Sequence, residues 1–250
     1  MGNFMSKIAL VTGGTGGIGT AICTRLAAQG YQIITTYLGA SGSSAKTERW
    51  ADKLDFDVSF YQCDVSDYDS CAKLQGHIEA NHGGNVDILV NNAGITRDAK
   101  FTRMTPQQWR EVMSSNLDSL FNVSHQFVEG MCERGFGRII NIASINGQKG
   151  QAGQTNYSAA KAGAHGFTMA LAQEVVRKGV TVNTVSPGYT GTDMVMAIRD
   201  DIRERIIDGI PMKRLGKPEE IASLVTYLAS EDAAFITGSN FAANGGQHMH

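Results

Sequence analysis

Tyr157 and Lys161 stand four residues apart in Tyr157-Ser158-Ala159-Ala160-Lys161, the spacing that puts two side chains on one face of a helix. A tyrosine at its ordinary pKa of about 10 transfers protons poorly at neutral pH, and a fixed ammonium beside it stabilises phenolate and lowers that value. Such a pair can give a proton to a carbonyl oxygen and take it back. Alone, the same spacing is an ordinary feature of surface helices. Here it has company: Ser144 follows one apolar run, Asn91-Asn92-Ala93-Gly94 closes another, and Pro187-Gly188 closes a third.

A second kind of chemistry is written in Thr12-Gly13-Gly14-Thr15-Gly16-Gly17-Ile18-Gly19, which lies between an apolar run and a helical pattern beginning at Ala21. A strand, a glycine turn and a helix N-terminus bring backbone N–H groups and the positive end of a helix dipole to one point, which suits a pyrophosphate. The stretch fits both GxGxxG from Gly14 and TGxxxGxG from Gly13; dinucleotide binding is the functional reading, with a plain tight strand-to-helix turn as the lesser alternative for the loop by itself. An Asp or Glu about 20 residues beyond the glycines is the usual partner of the ribose hydroxyls in NAD sites. That place reads Thr35-Thr36-Tyr37-Leu38-Gly39-Ala40-Ser41-Gly42-Ser43, without a carboxylate, which favours NADP. Lys46 and Arg49 are the nearest basic candidates for its 2′-phosphate.

These residues need a scaffold that gathers them. Short β-branched runs alternate with longer amphipathic stretches along all 250 residues, the pattern of repeated β-α units around a mostly parallel sheet with helices on both faces. Predicted strands are Ile8–Thr12, Gln32–Tyr37, Ser59–Cys63, Ile88–Asn91, Arg138–Ala143, Thr181–Ser186 and Asn240–Ala242. Thr105-Pro106-Gln107-Gln108 reads as a helix start with a capping box, Pro218 opens another helix, and Ala197 through Ile207 has a charged helical pattern. Gly39–Asp57, Ala93–Pro106 and Gly188–Lys217 lack strand signal and follow strand ends, where an open parallel sheet places its ligand. The last is expected to be a substrate lid within one domain spanning residues 1–250.

Composition narrows the classes. Lys+Arg 22 against Asp+Glu 24 gives a net charge of −2, so nothing draws nucleic acid or anionic lipid to the surface, and neither partner is expected. Cys23, Cys63, Cys71 and Cys132 contain no CxxC pair and suggest reduced thiols of a cytoplasmic protein, with no metal site. No run approaches the roughly 18 apolar residues of a membrane span. Met5 is a candidate native start behind Met1–Phe4, and His248 and His250 read as a solvated end.

Taken together, Thr12–Gly19, Asn91–Gly94, Asn116, Ser144, the Tyr157/Lys161 pair and Pro187-Gly188 with Thr192 resemble the short-chain dehydrogenase/reductase family in its classical branch, over essentially the whole chain. The resemblance implies a Rossmann-type sheet of seven strands and a nicotinamide cofactor. It further implies that Tyr157 protonates the substrate oxygen, Ser144 hydrogen-bonds the same oxygen, Lys161 lowers the tyrosine pKa and binds the nicotinamide ribose, and Asn116 holds a water in a proton relay. Gly13, Thr15, Gly17, Ile18 and Gly19 would cradle the pyrophosphate. Asp64-Val65 would hold the adenine edge, Asn92, Ala93 and Gly94 would line the adenosine and ribose, and Pro187, Gly188 and Thr192 would lie along the nicotinamide, with Thr192 anchoring its carboxamide.

Within the family, Asn91 through Asp98 and Gly147 through Tyr157 are similar to reductases of 3-oxoacyl thioesters. One branch acts on chains carried by acyl carrier protein, the other on acetoacetyl-CoA in polyhydroxyalkanoate synthesis. Gly16 stands where the carrier-protein branch commonly has an arginine, and Gly13 through Cys23, Asn146 through Gln151 and Asn244 through Met249 are similar to the CoA branch. The expected reaction is therefore NADPH-dependent reduction of acetoacetyl-CoA to (R)-3-hydroxybutanoyl-CoA, with reduction of carrier-protein thioesters as the alternative. By the same resemblance Asp98, Arg103, Gln151, Gln154, Thr155 and Tyr189 would line the pocket for the acyl chain and pantetheine arm. Ala152 replaces a bulkier aromatic residue of some relatives, which leaves chain length open. Lys149, Arg97 and Arg199 are candidates for the CoA phosphates, and the resemblance implies a homotetramer. A sensor that had lost chemistry would have a broken Ser, Tyr or Lys position, and a sugar or steroid alcohol dehydrogenase would use NAD.

Overall fold

The computed structural model describes residues 7–39 and 43–249, apart from the side chain of Ser43. Met1–Phe4, Met5, His250 and the Ala40–Gly42 part of the proposed ribose segment lie outside the described residues. In chain order the elements are β1 (Ile8–Val11), α1 (Gly17–Ala27), β2 (Gln32–Tyr37), α2 (Ser43–Ala51), β3 (Val58–Gln62), α3 (Tyr68–His82), β4 (Val86–Asn91), α4 (Pro106–Met113) and α5 (Ser119–Arg134). Then follow β5 (Gly137–Ile142), α6 (Ile145–Lys149), α7 (Thr155–Val175), β6 (Val180–Pro187), α8 (Asp193–Met196), α9 (Asp200–Asp208), α10 (Pro218–Ala229) and β7 (Asn240–Ala243).

The seven strands form one sheet in the order β3-β2-β1-β4-β5-β6-β7, and every pairing is parallel rather than merely most of them. Alternation along the strands explains the two helical layers. Ile8 and Leu10 point to the side of Leu74, Ile78, Phe127 and Met131 on α3 and α5, with Ala172 and Val175 of α7. Ala9 and Val11 point to the other, where Ile22 and Leu26 of α1 meet Ile221, Val225 and Leu228 of α10. Strands apolar on both faces are what a sheet covered twice requires. The sequence order reverses between β1 and β4, so their carboxyl ends diverge and leave a crevice there.

Five polar side chains inside this core are linked in series. Asn91 Nδ2 on β4 donates to Asn141 Oδ1 on β5 at 2.9 Å and to Ser124 Oγ on α5 at 3.1 Å. Asn141 Nδ2 donates to Thr168 Oγ1 on α7 at 2.9 Å, and Thr168 meets Thr184 Oγ1 on β6 at 2.7 Å. All five side chains are buried, and the series fixes α7 against three strands.

Two local expectations change. The helical pattern from Ala197 through Ile207 is interrupted: α8 ends at Met196 and α9 begins only at Asp200, because Arg199 adopts an extended conformation (φ −48°, ψ 138°) and Asp200 and Asp201 then occupy the favourable acidic first turn. Between α4 and α5 the chain forms a π-helical turn, Ser114–Asp118, which carries Asn116 and which no periodicity announced. The capping box at Thr105 is formed as expected, with Gln108 N–H on Thr105 Oγ1 and Thr105 N–H on Gln108 Oε1.

Candidate active site

The carboxyl ends of β1, β4, β5 and β6 deliver their loops to one cleft. Its wall includes Ile18 from α1, Asn92 and Gly94 after β4, Ser144 after β5, Tyr157 and Lys161 from α7, and Pro187, Gly188 and Thr192 after β6. Ser144 adopts an extended conformation and caps α6, its Oγ accepting from Asn146 N–H at 3.1 Å. The cap turns the chain away from β5 and leaves the serine at the strand end. Gly147, one turn further, permits α6 to rest on α7: a Cβ there would lie 2.6 Å from the Lys161 carbonyl carbon.

Lys161 is 5% exposed, and its Nζ donates to the Ile142 carbonyl at the end of β5 at 2.7 Å. Burial lowers its pKa to about 8, so the ammonium is still the major form at pH 7. The Nζ lies 5.7 Å from the Tyr157 ring centroid. The expected lowering of the Tyr157 pKa by Lys161 is not seen. Burial raises the phenol above its ordinary value, a hydrogen bond with Ser144 draws it partly back, and the Asp98 carboxylate raises it again. Lys161 is held at the ring and the Ile142 carbonyl rather than at the hydroxyl, so its charge contributes little to this balance. A protonated phenol is the form needed to give a proton away.

Asn116 is fastened through its side-chain amide. Its Nδ2 donates to the carbonyls of Ile95 and Val112 at 2.9 and 2.8 Å, and its Oδ1 accepts from Ile95 N–H at 3.2 Å. The side chain therefore fastens the loop after β4 to the π-helical turn. A Cβ on Gly94 would collide with Asn116 Oδ1 and lie 3.5 Å from Lys161 Nζ, so glycine is what lets these three meet.

The glycine loop is held from three sides. Gly13 is left-handed (φ +64°), as the turn out of β1 demands. Gly14 N–H donates to Thr35 Oγ1 at 2.9 Å, while Thr35 donates to the Val11 carbonyl at 2.8 Å, and Gly13 N–H reaches Thr36 Oγ1 at 3.2 Å. Asn92 Nδ2 donates to the carbonyls of Thr12 and Gly13, and Thr12 Oγ1 accepts from the N–H groups of Asn92 and Ala93.

A family model described as enoyl-(acyl carrier protein) reductase matches residues 13–248. The chain belongs to the short-chain dehydrogenase/reductase family. An acetoacetyl-CoA reductase of Cupriavidus necator is 55% identical over 246 residues, covering 97% of this chain and 98% of the relative. A nodulation protein G of Azospirillum brasilense is 57% identical over 240 residues, 96% of this chain and 97% of its own. A 3-oxoacyl-[acyl-carrier-protein] reductase of Vibrio cholerae is 45% identical over 247 residues, 99% of each.

As a short-chain dehydrogenase/reductase the protein is an oxidoreductase using a nicotinamide cofactor, and the residues at the crevice fit such a group. No side chain caps the N-terminus of α1 and no acid lies in its first turn, so its N–H groups and dipole are available to a pyrophosphate. The cradle depends on missing side chains: a Cβ at Gly17 would come 2.8 Å from Thr192 Cγ2, and one at Gly19 would come 2.5 Å from the Gly13 carbonyl oxygen. Thr15 is half-exposed on this loop. Val65 is buried after β3, its carbonyl held by Asn122 Nδ2 at 3.0 Å, while Asp64 beside it is exposed and bonds Ser66.

The residues expected around the acyl group divide. Gln154 and Tyr189 line the cleft, and Asp98 is joined to it through Gln154. Arg103, Gln151 and Thr155 do not line it: Arg103 sits on an exposed helical turn, Gln151 lies in the loop before α7, and the Thr155 hydroxyl points to Met104 Sδ. Of the candidates for CoA phosphates, Arg97 pairs with Glu111 and Arg199 with Asp201, which takes both from a free role, while Lys149 is exposed. Sequence reasoning missed Asn156 and Asn146. Asn156 accepts from Tyr157 N–H at 2.8 Å and donates to the carbonyls of Arg97 and Gln108, pinning the start of α7. Its position directly before Tyr157 was the only signal. Among the described residues no cluster of three metal-binding side chains occurs, and no helix is long and apolar enough to cross a membrane.

Proposed function

We propose that the protein reduces acetoacetyl-CoA to (R)-3-hydroxybutanoyl-CoA with NADPH, in the cytoplasm and as a homotetramer. The observation that carries this reading is the step from 45% identity with a carrier-protein reductase to 55% with an acetoacetyl-CoA reductase, on a cleft where Ser144, Tyr157 and Lys161 converge. The carrier-protein reaction is the alternative. NADPH is favoured because Tyr37-Leu38-Gly39 after β2 offers no carboxylate against a 2′-phosphate, while α2 presents exposed Lys46 and Arg49. A bond from Trp50 Nε1 to Thr20 Oγ1 at 2.9 Å seats α2 beside α1. Exposed Phe121 on α5 and Met169 on α7 support assembly through those helices.

A bound reduced nicotinamide supplies hydride to the carbonyl carbon. Gly13, Thr15, Gly17, Ile18 and Gly19 would hold its pyrophosphate, Asp64 and Val65 its adenine, Asn92, Ala93 and Gly94 its adenosine side, and Pro187, Gly188 and Thr192 its nicotinamide. Tyr157 gives its proton to the carbonyl oxygen, and Ser144 donates a hydrogen bond to the charge growing there. Lys161, which lines the cleft, would hold the ribose. A water returning the proton from solvent would be held by the Asn116 main chain, since the Asn116 amide is spent on Ile95 and Val112. The segment 188–217 would serve as the lid of a single domain, with Asp98, Gln154 and Tyr189 at the acyl group and Arg103, Gln151 and Thr155 further out along the pantetheine.

The test is NADPH oxidation with acetoacetyl-CoA and with acetoacetyl-acyl carrier protein at matched concentration, each repeated with NADH. The expected result is a kcat/KM highest for the CoA thioester with NADPH. A preference for the carrier protein would establish the alternative, and inactivity on both would overturn the reading.

The cleft also sets a pH dependence. Lys161 is charged below a pKa of about 8 and neutral above it, whereas the Tyr157 phenol stays protonated beyond its ordinary range. The kcat/KM for the cofactor, which reports the free enzyme, is therefore expected to be level at neutral pH and to fall as pH rises through about 8. A profile level to pH 10 would show that the Lys161 charge is not required.

A further inference from the structure

We propose that Asp98 is a charge filter at the cleft, which turns away free anionic 3-oxo acids and admits their uncharged esters and thioesters; this rests on the reading of the site as a 3-oxoacyl reductase. Asp98 is coupled to the reacting centre by linked hydrogen bonds. Its Oδ2 accepts from Gln154 Nε2 at 2.8 Å, Gln154 Oε1 accepts from Asn146 Nδ2 at 2.9 Å, and Asn146 N–H is held on Ser144 Oγ at 3.1 Å. Ser144, Asn146 and Gln154 all line the cleft.

The negative charge is not cancelled. Asp98 has no ion-pair partner among the described residues, because the guanidinium of adjacent Arg97 is committed to Glu111 at 2.8 Å. Its field is felt inside the cleft, where it favours the protonated phenols of both Tyr157 and Tyr189. Among the described residues lining the cleft the cation is Lys161, buried and held on the Ile142 carbonyl.

A substrate whose 3-oxo group meets Ser144 and Tyr157 carries its first carbon two bonds from the reacting carbon. In a thioester or ester that carbon is neutral. In the free acid it is a carboxylate, brought into a cleft beside which the exposed Asp98 carboxylate stands, held on the lining residue Gln154. Repulsion between two such charges near a protein surface reaches a factor of about ten in binding. Hydrolysis of the thioester would thus remove a molecule from the substrate pool in either direction of the reaction.

The experiment compares kcat/KM for acetoacetate and for ethyl acetoacetate, which share an acyl group and differ in charge, in wild type, Asp98→Asn and Asp98→Glu. Asparagine keeps an acceptor for Gln154 and removes the charge. Asp98→Asn is expected to raise the acetoacetate-to-ester ratio about tenfold, and Asp98→Glu to keep the wild-type ratio. Equal losses on both compounds in Asp98→Asn, with the ratio unchanged, would overturn the filter and leave Asp98 a structural part. Turnover of acetoacetyl-CoA by wild type is measured alongside: with it, an unchanged ratio defeats the filter alone. No turnover on thioester and ester alike defeats both the filter and the 3-oxoacyl reading.

Discussion

Replacing Tyr157 by phenylalanine is expected to lower kcat for acetoacetyl-CoA reduction by about a thousandfold and to leave cofactor binding intact. The ring keeps its place on α7 above Lys161, and only the hydroxyl that faces Ser144 is lost. Hydride transfer without a proton source leaves an alkoxide in a cleft where nothing else is placed to neutralise it. The alternatives are poor: Lys161 is turned to the Ile142 carbonyl, and the Ser144 hydroxyl is far too weak an acid to replace the phenol. Cofactor titration by protein fluorescence and steady-state turnover on the same preparation check both halves. A Tyr157→Phe protein with most of its kcat would remove the proton-donor assignment.

Ser144→Ala should cost about a hundredfold in kcat, together with a smaller loss of stability. The hydroxyl works in two directions. Toward the cleft it would donate to the substrate oxygen, and toward the backbone it accepts from Asn146 N–H as the cap of α6. Removing a cap of this kind costs about 1 kcal/mol, visible as a shift in denaturant midpoint. Ser144→Thr, which keeps the hydroxyl, should restore much of both. If Ser144→Ala lowered stability but left kcat unchanged, the serine would be a cap and no more.

The seven strands and their single sheet were legible because most strands are short apolar or β-branched runs set between longer amphipathic stretches; the observed ends differ from the expected ones by two residues at most. Tyr157, Lys161 and Ser144 were legible through their company, since the Tyr/Lys spacing is ordinary by itself and gains meaning from Thr12–Gly19, Asn91–Gly94 and Pro187-Gly188 in order along the chain. The π-helical turn at Asn116 was not, since it depends on a side chain borrowing the carbonyls of Ile95 and Val112 across a loop. Nor was the direction of the Tyr157 shift, which comes from how deeply the ring is buried and where Lys161 points. The residues expected further out around the acyl group were the least legible: Arg103 lies on an exposed turn, Gln151 in the loop before α7 and Thr155 at the exposed start of α7, where neither periodicity nor packing says what a side chain faces.

The buried series Asn91, Asn141, Thr168 and Thr184 has a consequence for how the protein responds to heat. It joins β4, β5 and β6 to the helix that carries Tyr157 and Lys161, so that helix cannot loosen without stranding amide and hydroxyl groups in the centre of the core. Partial melting of the catalytic helix is thereby excluded as an inexpensive event. Warming leaves proton transfer geometry intact until the sheet itself gives way, and thermal inactivation and loss of the fold become one cooperative transition.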